Sequence, residues 1–437
     1  MKKGAFYVET YGCQMNVADS ELVSGILEEA GYAAAADLDS ADIILVNTCA
    51  IRENPEEKVI QRLMQLALRK RMRPDLILGI IGCVPKHIGP AISESLAGVD
   101  LILGPDSYSR LPQLIERSAV EIQIDLGMDP QETFDRHSPK RTSGVNAWIT
   151  VMRGCDRFCS YCVVPYARGR EKCVSCERIL DVTARAAAEG HPSITLLGQT
   201  VNTYRDGDID FAALLGKVAQ IDGVARVRFT SPHPIDFATE VFEVMARERA
   251  LCPHIHLPLQ SGSDRMLERM NRGYTRAQYL NLVEEIRRIV PNMALSTDVI
   301  VGFPEETPGD FQETLNLMRE VRFDSAFMFK YSERPKTWAC RHLTDDIPDE
   351  EKGRRLREVI DLQESISKEI YESYIGREVE VLVEGPARRD PGQVQGKSPD
   401  FKTVVLAAGA REIKAGDFVK VRIESATSHT LSGVIPG

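Results

Sequence analysis

The run Val151-Met152-Arg153-Gly154-Cys155-Asp156-Arg157-Phe158-Cys159-Ser160-Tyr161-Cys162 sets three cysteines at C-x3-C-x2-C spacing, directly after the strand-like segment Ala147-Trp148-Ile149-Thr150-Val151. Soft thiolates in such a set point to an iron-sulfur cluster. Four thiolates would saturate a 4Fe-4S cube and leave an electron-transfer centre, whereas three leave one iron with an open position that can take a substrate-like ligand. Three plainly buried cysteines or a zinc site are the competing readings. Zinc sites usually pair two C-x2-C units or add histidines.

Downstream of this run, strand and helix signals alternate. The strand candidates are Ala147–Val151, Ile194–Leu197, Val227–Phe229, Ile255–Leu257, Val299–Val301 and Ala326–Phe329, and helical stretches such as Ile179–Ala188, Tyr279–Val290 and Phe311–Val321 separate them. Six βα units predict a partial barrel with its site at the carboxyl ends of the strands. Upstream, the short apolar runs Ala5–Val8, Ile43–Val46, Leu76–Ile81 and Leu101–Leu103 lie between helical stretches, the pattern of an open parallel α/β sheet. Three of them lead into a cysteine: Tyr11-Gly12-Cys13, Asn47-Thr48-Cys49 and Ile81-Gly82-Cys83. Ligand crevices in such sheets lie outside the carboxyl ends of the strands, so the three thiols should converge there as a second three-thiolate shell.

The segment 128–146 is polar and without hydrophobic period and reads as a linker. From about Tyr374 onward, Val379–Val383, Thr403–Leu406 and Phe418–Ile423 alternate with Gly-containing turns, which predicts a small antiparallel β-barrel. The chain is therefore expected to be α/β: an open parallel α/β domain (1–127), a linker (128–146), a central partial (βα)6 barrel (147–372) and the antiparallel barrel (373–437).

The chain has 437 residues, 43% of them hydrophobic, which argues against disorder and for two or three domains. The start Met1-Lys2-Lys3-Gly4-Ala5-Phe6 runs into Glu9 and Thr10 instead of an apolar signal core, and no apolar run reaches membrane-spanning length, so a cytoplasmic protein without membrane contact is expected. Ten cysteines in a reducing compartment favour metal ligands or core residues over disulfides. The net charge of -10 leaves nucleic-acid binding to local basic patches, for which the candidates are Arg69-Lys70-Arg71 with Arg73, Lys140-Arg141, Arg168 with Arg170 and Lys172, and Arg388-Arg389.

The C-x3-C-x2-C run, with the aromatic Tyr161 before its last cysteine, resembles the radical S-adenosylmethionine (SAM) superfamily, in which the open iron chelates SAM. With Tyr11-Gly12-Cys13-Gln14-Met15-Asn16, Asn47-Thr48-Cys49-Ala50-Ile51-Arg52-Glu53-Asn54, Cys162-Val163-Val164-Pro165-Tyr166, Asn271-Arg272-Gly273-Tyr274-Thr275 and Tyr331-Ser332-Glu333-Arg334-Pro335, essentially the whole chain resembles the methylthiotransferase family, and within it the MiaB-type enzymes that act on tRNA. The tail resembles a TRAM domain, an RNA-binding module. The resemblance implies methylthiolation of carbon 2 of a dimethylallyl-modified adenosine next to the anticodon. That C–H bond is neither acidic nor electrophilic, so cofactors must supply the reactive species.

The cofactors implied are two 4Fe-4S clusters, one on Cys155, Cys159 and Cys162 and one on Cys13, Cys49 and Cys83, together with SAM. The first would reduce SAM to methionine and a 5'-deoxyadenosyl radical; the second would present sulfur, methylated by a second SAM. The family pattern places Tyr161, Gly198, Gln199, Asn202, Ser231, Gln260, Ser296, Asp298 and Gly302 around SAM, and no catalytic side chain is assigned beyond the cluster ligands. The partners implied are the tRNA anticodon stem-loop, with the reacting base extruded, an electron donor such as flavodoxin or ferredoxin, and a sulfur donor. A sister enzyme acting on a threonylcarbamoyl-modified tRNA or a ribosomal-protein aspartate is the nearest alternative, and Gln14-Met15-Asn16, without Lys between Cys and Asn, discriminates against it. A non-catalytic iron-sulfur RNA-binding protein is the alternative from another class. Lys172-Cys173-Val174-Ser175-Cys176 departs from the family's usual Ser-Arg-Pro-like stretch; its extra C-x2-C reads as unligated thiols, with a metal or redox pair as the other reading. Cys252 and Cys340 read as structural.

Overall fold

The computed structural model describes residues 3–50, 53–89, 98–141, 144–407 and 413–436, so Ile51 and Arg52 of the second motif and Ser143 of the linker lie outside it. Its first unit is an all-parallel sheet of β1 (Ala5–Thr10), β2 (Ala33–Ala34), β3 (Ile43–Thr48), β4 (Ile77–Gly82), β5 (Leu101–Leu103) and β6 (Gln123–Asp125), ordered β2-β1-β3-β4-β5-β6. β3 is buried throughout: Ile44 and Val46 pack with Leu78, Ile80 and Ile102 on one face, and Ile43 and Leu45 with Ile81, Leu101 and Leu103 on the other. Burial on both faces is what turns a parallel strand into a continuous apolar run.

The linker segment is a packed strap. Lys140 N donates to the Glu21 carbonyl (2.8 Å), His137 Nδ1 meets Glu29 (2.8 Å), and Phe134 is buried against Tyr108 with ring centroids 5.8 Å apart. Its backbone lies so close to the helix Gln14–Glu29 that a Cβ on Gly25 would fall 1.9 Å from the Ser138 carbonyl oxygen. The polar composition of the strap reflects bonding through main chain and charge, which hydrophobic period does not register.

The second unit carries β7 (Asn146–Thr150), β8 (Met152–Arg153), β9 (Lys172–Cys173), β10 (Ser193–Leu197), β11 (Arg205–Asp206), β12 (Ile209–Asp210), β13 (Arg226–Phe229), β14 (His254–His256), β15 (Ala294–Val301) and β16 (Ser325–Lys330). β13-β10-β7 and β14-β15-β16 are parallel sheets joined through a Val227–Leu251 bridge, giving a six-stranded partial barrel; β8 with β9 and β11 with β12 are two-residue ribbons. Alternate residues, among them Ile149, Ile194, Val227, Ile255, Leu295 and Val299, pack beneath the helices. Alternation puts Arg226, Arg228, His254, His256, Ser296 and Asp298 on the other face, the lumen.

The third unit is a closed barrel of β17 (Glu378–Pro386), β18 (Gln393–Lys397), β19 (Thr403–Ala407), β20 (Phe418–Ala426) and β21 (Thr430–Val434). It departs from a wholly antiparallel barrel at one pair, because β19 and β21 run parallel. Two arginines dock it on the amino-terminal end of the barrel: Arg226 Nη1 donates to the Lys397 carbonyl (2.5 Å), and Arg228 Nη2 to the Ser398 (2.9 Å) and Pro399 (3.2 Å) carbonyls. Phe401 stacks on His254, centroids 4.8 Å apart. Lys402, 2% exposed, reaches Asp324 and Asp400, each at 2.8 Å. Replacing Lys402 by Met leaves two half-buried carboxylates facing each other without their shared cation and is expected to cost about 3–5 kcal/mol. Denaturant unfolding of the C-terminal unit checks this, and a loss under about 1 kcal/mol, the range of an exposed pair, would contradict it.

Candidate metal centres

Cys13, Cys49 and Cys83 stand just past the carboxyl ends of the neighbouring strands β1, β3 and β4, whose register sets Thr10 opposite Asn47 and Thr48 opposite Gly82. Two buried amides clamp the first two turns together. Asn16 Nδ2 donates to Asn47 Oδ1 and the Thr48 carbonyl, both at 3.0 Å, and Asn47 Nδ2 to the Asn16 carbonyl (2.8 Å) and Ser20 Oγ (2.9 Å). Gly12 makes room: at φ 132° a Cβ there would lie 2.3 Å from Cys49 Cβ. A hydrogen bond from Cys49 pulls the Cys13 thiol down to about 6, with help from the nearby Arg168 guanidinium and against burial. That lowering favours the thiolate, the form that ligates metal. Burial pushes the Cys83 thiol up, and Arg168 opposes it.

Cys155, Cys159 and Cys162 occupy the loop after β8, which Cys155 N closes by donating to the Gly169 carbonyl (3.1 Å). Three donors aim at two of the sulfurs: Thr200 Oγ1 (3.1 Å) and Arg157 N (3.4 Å) at Cys155 Sγ, and Arg272 Nη1 (3.1 Å) at Cys159 Sγ. Burial pushes Cys162 up to about 12, and neighbouring Cys159 adds to it; burial likewise raises Cys155. Thiols so placed ionise together only against positive charge, which the irons of a cluster supply. A zinc ion would need its sulfurs about 2.3 Å from one point, and among the described residues no three His, Cys, Asp or Glu gather around a single-ion position. Two sulfur triplets with donors or a cation at their sulfurs fit multi-iron clusters.

One buried carboxylate ties the two triplets together. Asp19, fully buried on the helix that Cys13 caps, receives Arg153 Nη1 (2.7 Å) and Arg168 Nη2 (2.8 Å). Arg153 lies two residues before Cys155, and Arg168 ends the helix Val164–Arg168 that follows Cys162. Despite burial, the two guanidinium groups hold Asp19 below the usual carboxylate range. Lys172 Nζ pairs with Asp106 (2.9 Å) across the same boundary. Arg168 and Lys172 are therefore buried struts and not an RNA patch; of that trio only Arg170 stays in solvent, with its guanidinium 4.6 Å over the exposed Phe158 ring. Arg69, Lys70 and Arg73 are likewise paired with Asp39, Asp100 and Asp42, and the buried Arg141 side chain meets Glu189. Arg388 and Arg389 are exposed.

The residues expected around SAM fall into two groups. Tyr161 lies half-buried with its hydroxyl 3.4 Å from Arg272 Nη1, and Gln199, beside Thr200, has a buried Oε1 without a hydrogen-bond partner. Ser296 and Asp298 sit within β15, not past its end, where His256 bridges them (Nδ1 to Ser296 Oγ 3.0 Å, Nε2 to Asp298 Oδ2 3.2 Å). Ser231 and Gln260 hold left-handed backbone at φ 59° and 68°. The others have structural partners: Asn202 is bound to the His233 backbone (2.8 and 2.9 Å), a Cβ on Gly198 would fall 2.6 Å from Met152 Cγ, and one on Gly302 2.4 Å from Lys352 Cγ. Cys173 is half-buried and Cys176 buried against the barrel core, and burial raises both thiols. Cys252 is buried and Cys340 half-buried. Sequence reasoning missed Asp19, Arg153, Thr200, His256 and Arg272; Arg153 and Arg272 stood in quoted motifs but carried no role there.

Residues 149–318 match the radical SAM superfamily, 5–104 an uncharacterized protein family, UPF0004, and 372–435 the TRAM domain. Among solved structures, the radical SAM methyltransferase TsrM from Kitasatospora setae superposes with a TM-score of 0.57 at 14% identity, covering 77% of each chain, and OxsB, a cobalamin-dependent SAM radical enzyme, with 0.53 at 14%, covering 83% of this chain and 56% of that one. At that identity they bear on the fold alone, and with the matched superfamily they define a radical SAM enzyme. The chain is 46% identical over 429 residues to the tRNA-2-methylthio-N(6)-dimethylallyladenosine synthase of Prosthecochloris aestuarii, covering 98% of this chain and 97% of that one. It is 46% identical over 435 residues to the protein of that name from Phocaeicola vulgatus, covering 98% and 95%. The chain belongs to the methylthiotransferase family of these relatives.

Proposed function

We propose that this enzyme adds a methylthio group to carbon 2 of an N6-dimethylallyladenosine beside the tRNA anticodon, using SAM and two 4Fe-4S clusters. The observation that carries the reading is the pair of three-cysteine sets on either side of the Asp19 ion triad, each with three thiols where a fourth would close the shell. When bound, the clusters supply an electron for SAM cleavage and a sulfur atom for transfer; an external one-electron protein and a sulfur donor are the partners required.

The protein's own part is to hold, orient and shield. Cys155, Cys159 and Cys162 would hold the first cluster, and Cys13, Cys49 and Cys83 the second. Gln199, Gln260 and the His256–Asp298 pair are the lumen groups we assign to orienting SAM and the adenine. Phe158 next to Cys159, exposed and covered by Arg170, offers a stacking surface for a loop base. The C-terminal barrel, docked on the opposite end of strands roughly 20 Å long, would grip tRNA away from the reacting base.

Nucleoside mass spectrometry of tRNA from cells with and without the gene tests this: the methylthiolated, dimethylallylated adenosine should vanish and return on complementation. Loss of a methylthio group from a threonylcarbamoyl nucleoside instead would favour the sister activity. Among the described residues no helix is long and apolar enough to cross a membrane.

A further inference from the structure

Arg272 stands at the core of the barrel mouth, 5% exposed. An arginine keeps its proton everywhere in a protein, and burying that charge without an anion costs several kcal/mol. The groups that receive its donors are the hydroxyls of Tyr274 (3.2 Å) and Tyr161 (3.4 Å), the Pro258 carbonyl (3.3 Å) and Cys159 Sγ (3.1 Å). Among the described residues no carboxylate forms an ion pair with it. Asp19 takes up Arg153 and Arg168, Asp236 pairs with Arg157 and Glu305 with Arg269. Among the described residues, the one prospective cluster ligand at hydrogen-bond distance of Arg272 is therefore the Cys159 sulfur, 3.1 Å from Nη1.

We infer that Arg272 is a positioning residue that tunes the barrel cluster, its buried guanidinium bonding the Cys159 sulfur and stabilising the reduced, more negative state. Hydrogen bonds to the sulfurs and net charge are among the determinants of iron-sulfur potentials. One electron arrives from the external donor and adds one negative charge beside a fixed cation, so the equilibrium shifts toward reduction. Thr200 acts likewise on Cys155, as a neutral and hence weaker donor. The inference rests on the reading that Cys155, Cys159 and Cys162 hold a cluster.

The test is a potentiometric titration followed by electron paramagnetic resonance on the full chain with Cys13, Cys49 and Cys83 replaced by Ala, so that the barrel cluster alone contributes. Adding Arg272→Gln should lower the midpoint potential by at least 59 mV, a tenfold change in the reduced-to-oxidised ratio for one electron, and Thr200→Val should lower it less. SAM cleavage by Arg272→Gln should be slow with a protein donor and recover with dithionite. A midpoint unchanged by Arg272→Gln overturns the inference, since a merely structural role would reduce iron content and leave the potential alone. If the Gln variant takes up no iron, Arg272→Met, which removes both the charge and the donors while keeping most of the side-chain volume, carries the test: a lowered midpoint supports the inference and an unchanged one overturns it. A parent that takes up no iron would remove the cluster reading itself.

Discussion

Replacing Cys13, Cys49 or Cys83 by Ala is expected to leave SAM cleavage to 5'-deoxyadenosine largely intact while methylthiolated tRNA disappears. Replacing Cys155, Cys159 or Cys162 should abolish both. The two sets sit in different folding units: the first past three strands of the N-terminal sheet, the second in a loop of the barrel, so losing one need not dismantle the other. Outer partners of metal sites already cost 10–100-fold when removed, so a lost ligand should cost more than about 100-fold in its own half of the reaction. Anaerobic single-turnover assays reading 5'-deoxyadenosine and the modified nucleoside from one sample check this. Methylthiolation surviving in a Cys49→Ala protein would contradict it.

Asp19→Asn is expected to destabilise the fold strongly. The carboxylate is fully buried and holds two guanidinium groups whose side chains are each 5% exposed. An amide of the same shape leaves both cations buried without an anion, a loss of about 3–5 kcal/mol. Its pH dependence has a definite sign. Because the folded state holds Asp19 below its ordinary range, the contribution is complete above the unfolded carboxylate pKa and fades only as pH falls through the depressed value. Denaturant unfolding near neutral pH, followed by hydrogen exchange in β1, β3 and β4, measures the loss. A change under about 1 kcal/mol would mean that the triad behaves as an exposed pair does.

Much of the architecture was legible because burial leaves a period. Ile43–Val46 reads as a strand of an open parallel sheet and proves to be one, buried on both faces, and the six barrel strands fall on apolar runs whose alternate residues pack beneath helices. What was illegible lacks such a signature. β2 and β6 have two and three residues, too few to show a period. The strap from 128 is bonded through carbonyls and charges, and among its described residues only Phe134 and Val145 give it buried apolar anchors. The cysteines announce themselves by spacing, but their electrostatics depend on residues far away in sequence: Asp19 meets Arg153 and Arg168 across more than 130 positions, and Arg272 meets Cys159 across 113. Arg168 and Lys172 looked like a basic patch because sequence shows charge and not the buried carboxylates that neutralise it.

The central claim, two separate three-thiolate centres, is tested most directly by counting iron. Anaerobically reconstituted protein should bind about eight irons per chain, and the chain with Cys13, Cys49 and Cys83 replaced by Ala about four, as should the chain with Cys155, Cys159 and Cys162 replaced, each set holding one 4Fe-4S cube. A parent protein that binds only about four irons, or an Ala triple in the N-terminal set that still binds about eight, would contradict the account.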